Sequence, residues 1–435
     1  MRFLLALFLL THAHLTLAAL PIQHWQTPAG VRVYFVESRS LPILDVSVDF
    51  AAGSSADTAE KSGRAALTQH MLSLGAGGLS EDDISRAIAD VGAQFGGRFD
   101  ADRAGLSLRT LSSLRERKQA LDILAKTLQQ PEFPSIILER EKARVIAGIK
   151  EGDTKPANIA DRALAKMLYG DHPYGLRSNG EIASVGALQR EDLLDFYKTR
   201  YTATNAVVAI MGDVSRAEAE VIAVALTQQL PESTAGKAAA PPPQVLAPLA
   251  ATRKIAHPAS QAHIQLAYPG ISRTDPDYFP LHVGNYILGG GGFVSRLMEE
   301  VRQKRGLAYS VSSYFMPLWA QGPFEINLQT RKEQADEALA LVQKTLADFI
   351  AQGPTEKELV AAKQNIIGGF PLRIDSNRKI VDYLALIGFY KLPLTYLDDY
   401  VIAVDKITVA QIKEAWQRRI KPEGMVTVVV GAEEK

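Results

Sequence analysis

Leu44, Val46, Val48 and Phe50 alternate with Asp45, Ser47 and Asp49, a period of two that predicts a half-buried strand over 43–51. Val31–Glu37 reads as a strand in the same way. Helical patterns follow at 61–74, 80–91, 112–128, 135–151, 157–169 and 190–199. Further along, strands are expected at 262–268, 308–316 and 323–330, and helices at 276–288, 294–304, 332–352 and 355–369. Strands grouped apart from long helical runs predict an α+β fold, with helices on one face of a mainly antiparallel sheet.

The pattern is written twice. Asp192–Tyr201 is an amphipathic helix, followed after a turn by the apolar run Ala206–Met211 and a stop at Gly212. Gln411–Ile420 and Met425–Gly431 repeat this with no gap at an offset of 219, which places Tyr197 on Trp416 and Gly212 on Gly431. A second match, Glu139–Ala143 on Glu356–Val360, has an offset of 217. Two matches at nearly one offset predict two homologous domains, 20–230 and 251–435, around the Pro/Ala-rich linker 231–250.

Composition narrows the setting. Lys plus Arg and Asp plus Glu each number 48, so there is no basic excess of the kind that nucleic acid or an anionic membrane selects. Arg2, the apolar Phe3–Leu10 and the small residues to Ala19 read as a signal peptide over 1–19. Its apolar core is too short to span a bilayer, and no second candidate span follows. The expected location is the periplasm. The absence of cysteine excludes disulfides, thiolate ligands and a lipidated Cys anchor.

The segment Gly63–Leu72 has the outline of a metal-binding helix without its chemistry. In a His-x-x-Glu-His helix two imidazoles hold zinc and the Glu activates water. Here those positions are Ala66, Gln69 and His70. Alanine has no ligand atom, and an amide cannot take a proton from water near neutral pH. The eight histidines include no other such motif. Gly289–Gly292 lacks the Gly-Lys-Ser/Thr ending of a phosphate loop and reads as a bend before a helix.

In order along the chain, Thr27–Val33, Phe50–Ser55, Val91–Gly97, Tyr169-Gly-Asp-His-Pro-Tyr-Gly175, Leu288–Leu297 and Arg305–Val311 together resemble the pitrilysin family of zinc peptidases. The resemblance spans nearly all of the chain after residue 19. It implies a third zinc ligand seven residues after Glu141, where this chain has Gly148. It also implies that Arg302 and Tyr309 face the zinc chamber, bind the substrate backbone and stabilise the oxyanion. Arg305 is a nearby decoy. His172 and Tyr174, in the HPYG motif, are candidate substrate contacts, with a structural turn as the alternative.

The resemblance thus implies no metal in this chain, with zinc in a homologous partner subunit. The expected product is a heterodimeric periplasmic zinc peptidase acting on peptides, with this chain forming half of a clamshell chamber. The rival expectation is a structural or peptide-binding scaffold with no part in hydrolysis.

Overall fold

The computed structural model describes residues 20–232 and 241–431; the expected signal segment and the centre of the linker, 233–240, lie outside the described residues. The first half runs β1 (Gln23–Gln26), β2 (Arg32–Glu37), β3 (Ile43–Phe50), α1 (Arg64–Met71), a small hairpin of β4 (Gly75–Ala76) and β5 (Leu79–Ser80), and α2 (Glu81–Ala89). It continues through β6 (Gln94–Phe99), β7 (Ala104–Leu111), α3 (Leu114–Gln129), α4 (Ser135–Gly152), α5 (Pro156–Tyr169), α6 (Ile182–Ala187), α7 (Arg190–Arg200), β8 (Ala206–Gly212) and α8 (Arg216–Thr227). The second half has β9 (Ala251–Ile255), β10 (Gln261–Pro269), α9 (Tyr278–Asn285), β11 (Val311–Phe315), β12 (Pro323–Arg331) and α10 (Ala335–Gln352). It ends with α11 (Glu356–Gly369), α12 (Asn377–Tyr390), α13 (Tyr396–Lys406), α14 (Val409–Arg419) and β13 (Val426–Val430).

The strand orders are β1-β2-β8-β3-β7-β6 and β11-β12-β10-β13-β9. Among the described strands only β2–β8 and β13–β9 pair in parallel, and β8 and β13 are the matching strands of the repeat. The internal repeat is thus visible as topology, and a glycine of positive φ stops each of these two strands: Gly212 closes β8 and Gly431 directly follows β13. At Gly212 a Cβ would stand 2.2 Å from the Ile43 carbonyl oxygen, so only glycine fits.

Each half carries helices over one sheet face, as the α+β pattern predicts. The opposite face is covered as well, by a helix from the other half. In β8, Ala206, Val208 and Ile210 pack with the first-half helices, while Val207, Ala209 and Met211 join the second-half core with Leu384 and Ala385 of α12. Likewise α5 of the first half lays Ala160, Ala163, Leu164 and Leu168 on Val426, Val428 and Val430. Burial on both faces explains why these two strands are continuous apolar runs instead of alternating ones. The α12 backbone lies close to its host sheet: a Cβ on Gly388 would meet Val207 Cγ1 at 2.5 Å and Tyr34 at 2.6 Å.

Two expected helices are altered. The span 276–288 is α-helical only over Tyr278–Asn285 and then passes into a π turn, Tyr286–Gly290. The span 294–304 forms a π turn at Met298–Gln303. The glycine run between them bends as expected: Gly292 has φ of 59°, and a Cβ on Gly289 would crowd Ser313 Oγ at 2.4 Å.

Candidate functional site

Helix α1 begins at Gly63, whose φ of 91° turns the chain into the helix. Its free N–H groups are met by a buried carboxylate: Asp57 accepts from Gly63 N at 2.9 Å and from Ala65 N at 3.0 Å. Burial pushes the Asp57 carboxyl up to about 7, against the pull of these N–H groups and of Arg64. Helix α4 packs beside α1, so that Ala66, Gln69, His70, Arg144 and Gly148 line one cavity of about 420 Å³.

His70 Nε2 lies 3.1 Å from Glu141 Oε2. Arg144 Nη2 stands 2.6 Å from Glu141 Oε2 and 2.6 Å from His70 Nε2. The guanidinium therefore bridges the imidazole and the carboxylate, touching both with one nitrogen. The i, i+3 spacing of Glu141 and Arg144 on α4 makes this possible. On its other side Glu141 accepts from Arg140 Nε at 2.9 Å. Burial works to raise the Glu141 carboxyl, but Arg140, Arg144 and His70 together hold it below the usual range.

Gln69 has taken another task. Its Nε2 donates to the Gly105 carbonyl at 3.2 Å, lying over Gly97, where a Cβ would meet it at 2.3 Å. A carboxylate there would face that carbonyl with no proton to share. A Cβ on Gly148 would have nothing within 4 Å, so the cavity is open on that side.

These residues do not fit zinc. A tetrahedral site needs three or four converging ligands, and here one imidazole is met by an arginine. Among the described residues no group of three or more His, Asp or Glu is placed to hold a metal ion.

The second expected pair comes together on the surface of the second half. The Arg302 guanidinium carbon lies 5.0 Å from the Tyr309 ring centre and 4.8 Å from that of Phe293. Tyr309 is 79% exposed and Phe293 63% exposed. The π turn over Met298–Gln303 presents Arg302, and the glycine bend presents Phe293. Phe293 escaped the sequence reading, although it sits directly after the glycine run.

His172 and Tyr174 are engaged within the chain. His172 Nδ1 accepts from Tyr174 N at 3.1 Å, which leaves its Nε2–H to donate to the Pro243 carbonyl at 2.8 Å. The Tyr174 hydroxyl donates to Asp102 Oδ1 at 2.6 Å and accepts from Ala320 N at 3.1 Å. Tyr174 is buried, and this motif forms a structural turn at the junction of the halves.

Residues 32–180 match the model of the insulinase family (peptidase family M16), and residues 187–366 match that of the peptidase M16 inactive domain. A solved structure of a peptidase M16 inactive domain from Pseudomonas fluorescens is 42% identical, covering 95% of this chain and 98% of that one with a TM-score of 0.91. A Helicobacter pylori protein named a non-peptidase homologue, YmxG, is 25% identical over 100% of this chain and 99% of its own length. The periplasmic protease PqqL from Escherichia coli shares the fold, with a TM-score of 0.80 at 16% identity, over 95% of this chain and 45% of PqqL. With both family models matched in order along the chain and a 42% identical relative spanning 95% of it, the chain belongs to the M16 peptidase family.

Proposed function

We propose that this chain is the non-catalytic subunit of a two-chain zinc peptidase of the periplasm. A homologous partner supplies the His-x-x-Glu-His helix and the metal. This chain supplies half of the chamber, contacts to a peptide substrate, and Arg302 and Tyr309 as donors to the oxyanion that forms when the peptide bond is attacked.

The observation that carries the reading is an asymmetry. The residues at the motif's ligand positions cannot hold zinc and the remaining imidazole is engaged by Arg144, whereas Arg302 and Tyr309 stand together on an exposed face. A tyrosine ring 79% exposed beside a guanidinium is better suited to recognition than to packing. The periplasmic assignment is supported by the signal-like segment 1–19 and by the described location of PqqL.

Purification of the tagged chain from its native cells tests the reading. The expected outcome is co-purification of a zinc-bearing M16 homologue, and peptide hydrolysis only by the mixture. A homologue that is fully active without this chain overturns it. The scaffold reading, favoured by the relative named a non-peptidase homologue, then becomes the better account.

A further inference from the structure

We infer that the emptied metal site is a receptor for the C-terminal carboxylate of a peptide, with the Arg144 and Arg177 guanidiniums as its donors. The inference concerns this chain alone and stands or falls separately from the two-chain reading.

The charge of the cavity comes first. Both arginines line it, and no Asp or Glu does. Glu141, which balances Arg144, lies behind the wall with its side chain 2% exposed. Arg144 uses Nη2 on His70 and Glu141. Its Nε and Nη1 have no partner among the described residues, and its side chain is 64% exposed. Arg177 is held from behind by Asp153, with Nη1 at 2.9 Å from Oδ1. That contact is off the hydrogen-bonding line, so Nη1 is buried without a properly directed acceptor. A cavity with two guanidiniums and no facing carboxylate selects an anion, and a planar fork of N–H donors matches a carboxylate.

Space and shape select a chain end over a small acid. Ala66 and Gly148, the two truncated positions, open the site to about 420 Å³. It adjoins a larger groove of about 890 Å³ that shares Phe99, Asn158, Arg177 and Asn179 with it and reaches Met316 of the second half. The side-chain amides of Asn158 and Asn179 have no partner among the described residues and sit on this shared border, where a peptide backbone needs donors and acceptors. A free acid would fill only the inner cavity; a peptide would fill both.

The test uses the purified chain and fluorescence anisotropy with an N-terminally labelled alanine pentapeptide, ending either in a free carboxylate or in an amide. The free acid is expected to bind at least about tenfold tighter than the amide. Arg144→Ala and Arg177→Ala are each expected to weaken the acid about tenfold and to erase the preference. Gly148→Glu places a carboxylate in the open side of the cavity while both arginines remain, and is expected to do the same. Melting curves report folding, and Gly148→Glu decides the matter should an arginine variant fail to fold. Equal binding of acid and amide by the parent chain overturns the proposal, as does parent-like binding by Gly148→Glu. Succinate binding tightly while neither peptide binds would also overturn it, because the site would then belong to a small acid.

Discussion

The Tyr390 hydroxyl donates to Asp102 Oδ2 at 2.8 Å and so ties α12 to the loop before β7 across 288 positions of sequence. Asp102 also accepts from Trp319 N at 2.6 Å and from the Tyr174 hydroxyl at 2.6 Å. It is 3% exposed, and burial pushes its carboxyl up against the pull of these donors. Tyr390→Phe should destabilise the chain by about 1–2 kcal/mol, the cost of one bond to a charged buried partner. Asp102→Ala strands three donors and should cost about 3 kcal/mol or more. Urea unfolding measures both; a loss under about 0.5 kcal/mol for Asp102→Ala would show that the junction does not depend on it.

In a complex with a zinc-bearing homologue, Arg302→Ala and Tyr309→Phe should each lower turnover by roughly 100- to 1000-fold. Assembly and zinc content should stay unchanged. Arg305→Ala, three residues away in the same segment, is the control and should change little. Turnover within about twofold of the parent for both site variants would refute the trans-acting role.

Rebuilding the metal site should require four changes. Ala66→His, Gln69→Glu and Gly148→Glu restore the ligand and base positions, but Arg144 still holds His70 Nε2. The triple variant should therefore retain well under one zinc per chain after dialysis, and adding Arg144→Ala should bring it to about one. Gln69→Glu alone should cost about 1–3 kcal/mol, because its carboxylate would face the Gly105 carbonyl. Stoichiometric zinc in the triple variant would remove Arg144 from the explanation.

His282 offers a pH signature. Burial first, then Arg373 and Arg273, lower its pKa from 6.5 to about 4. Its Nε2 lies 2.8 Å from the Tyr400 hydroxyl, and its ring stacks on Tyr278. The folded chain keeps this imidazole neutral, whereas the unfolded chain protonates it as pH falls below about 6.5. Stability is therefore full above that value and falls toward pH 4, by at most about 1.4 kcal/mol per unit from this group. His282→Gln should be less stable at pH 7 but show a flatter decline between about pH 6.5 and 5, where most carboxylates remain ionised. Parallel declines in parent and variant would rule His282 out.

The sequence carried the repeat and the residue types at the motif positions because both can be read locally. Gly212 and Gly431 end matching strands, and Ala66, Gln69 and Gly148 can be read one residue at a time. Arg144 stood three residues after Glu141, and that spacing was the available signal for its reach toward His70. The exchange of α5 and α12 left no such mark: Val207, Ala209 and Met211 need an apolar neighbour, but the pattern cannot name a helix from the other half. The π turns escaped because Met298–Gln303 has ordinary helix-forming residues, and nothing in their pattern marks the wider turn.

The crossing of α5 and α12 makes the two halves inseparable by a cut. A break anywhere in 231–250 severs the chain but leaves α12 seated on β8 and α5 seated on β13. The nicked protein should migrate as one particle in native conditions and as two bands in denaturant. Residues 20–230 produced alone would present Val207, Ala209 and Met211 to water as a bare strip on a sheet, a surface prone to self-association. The gene could therefore be split at the linker and its two products made together in one cell, but neither product could be made alone.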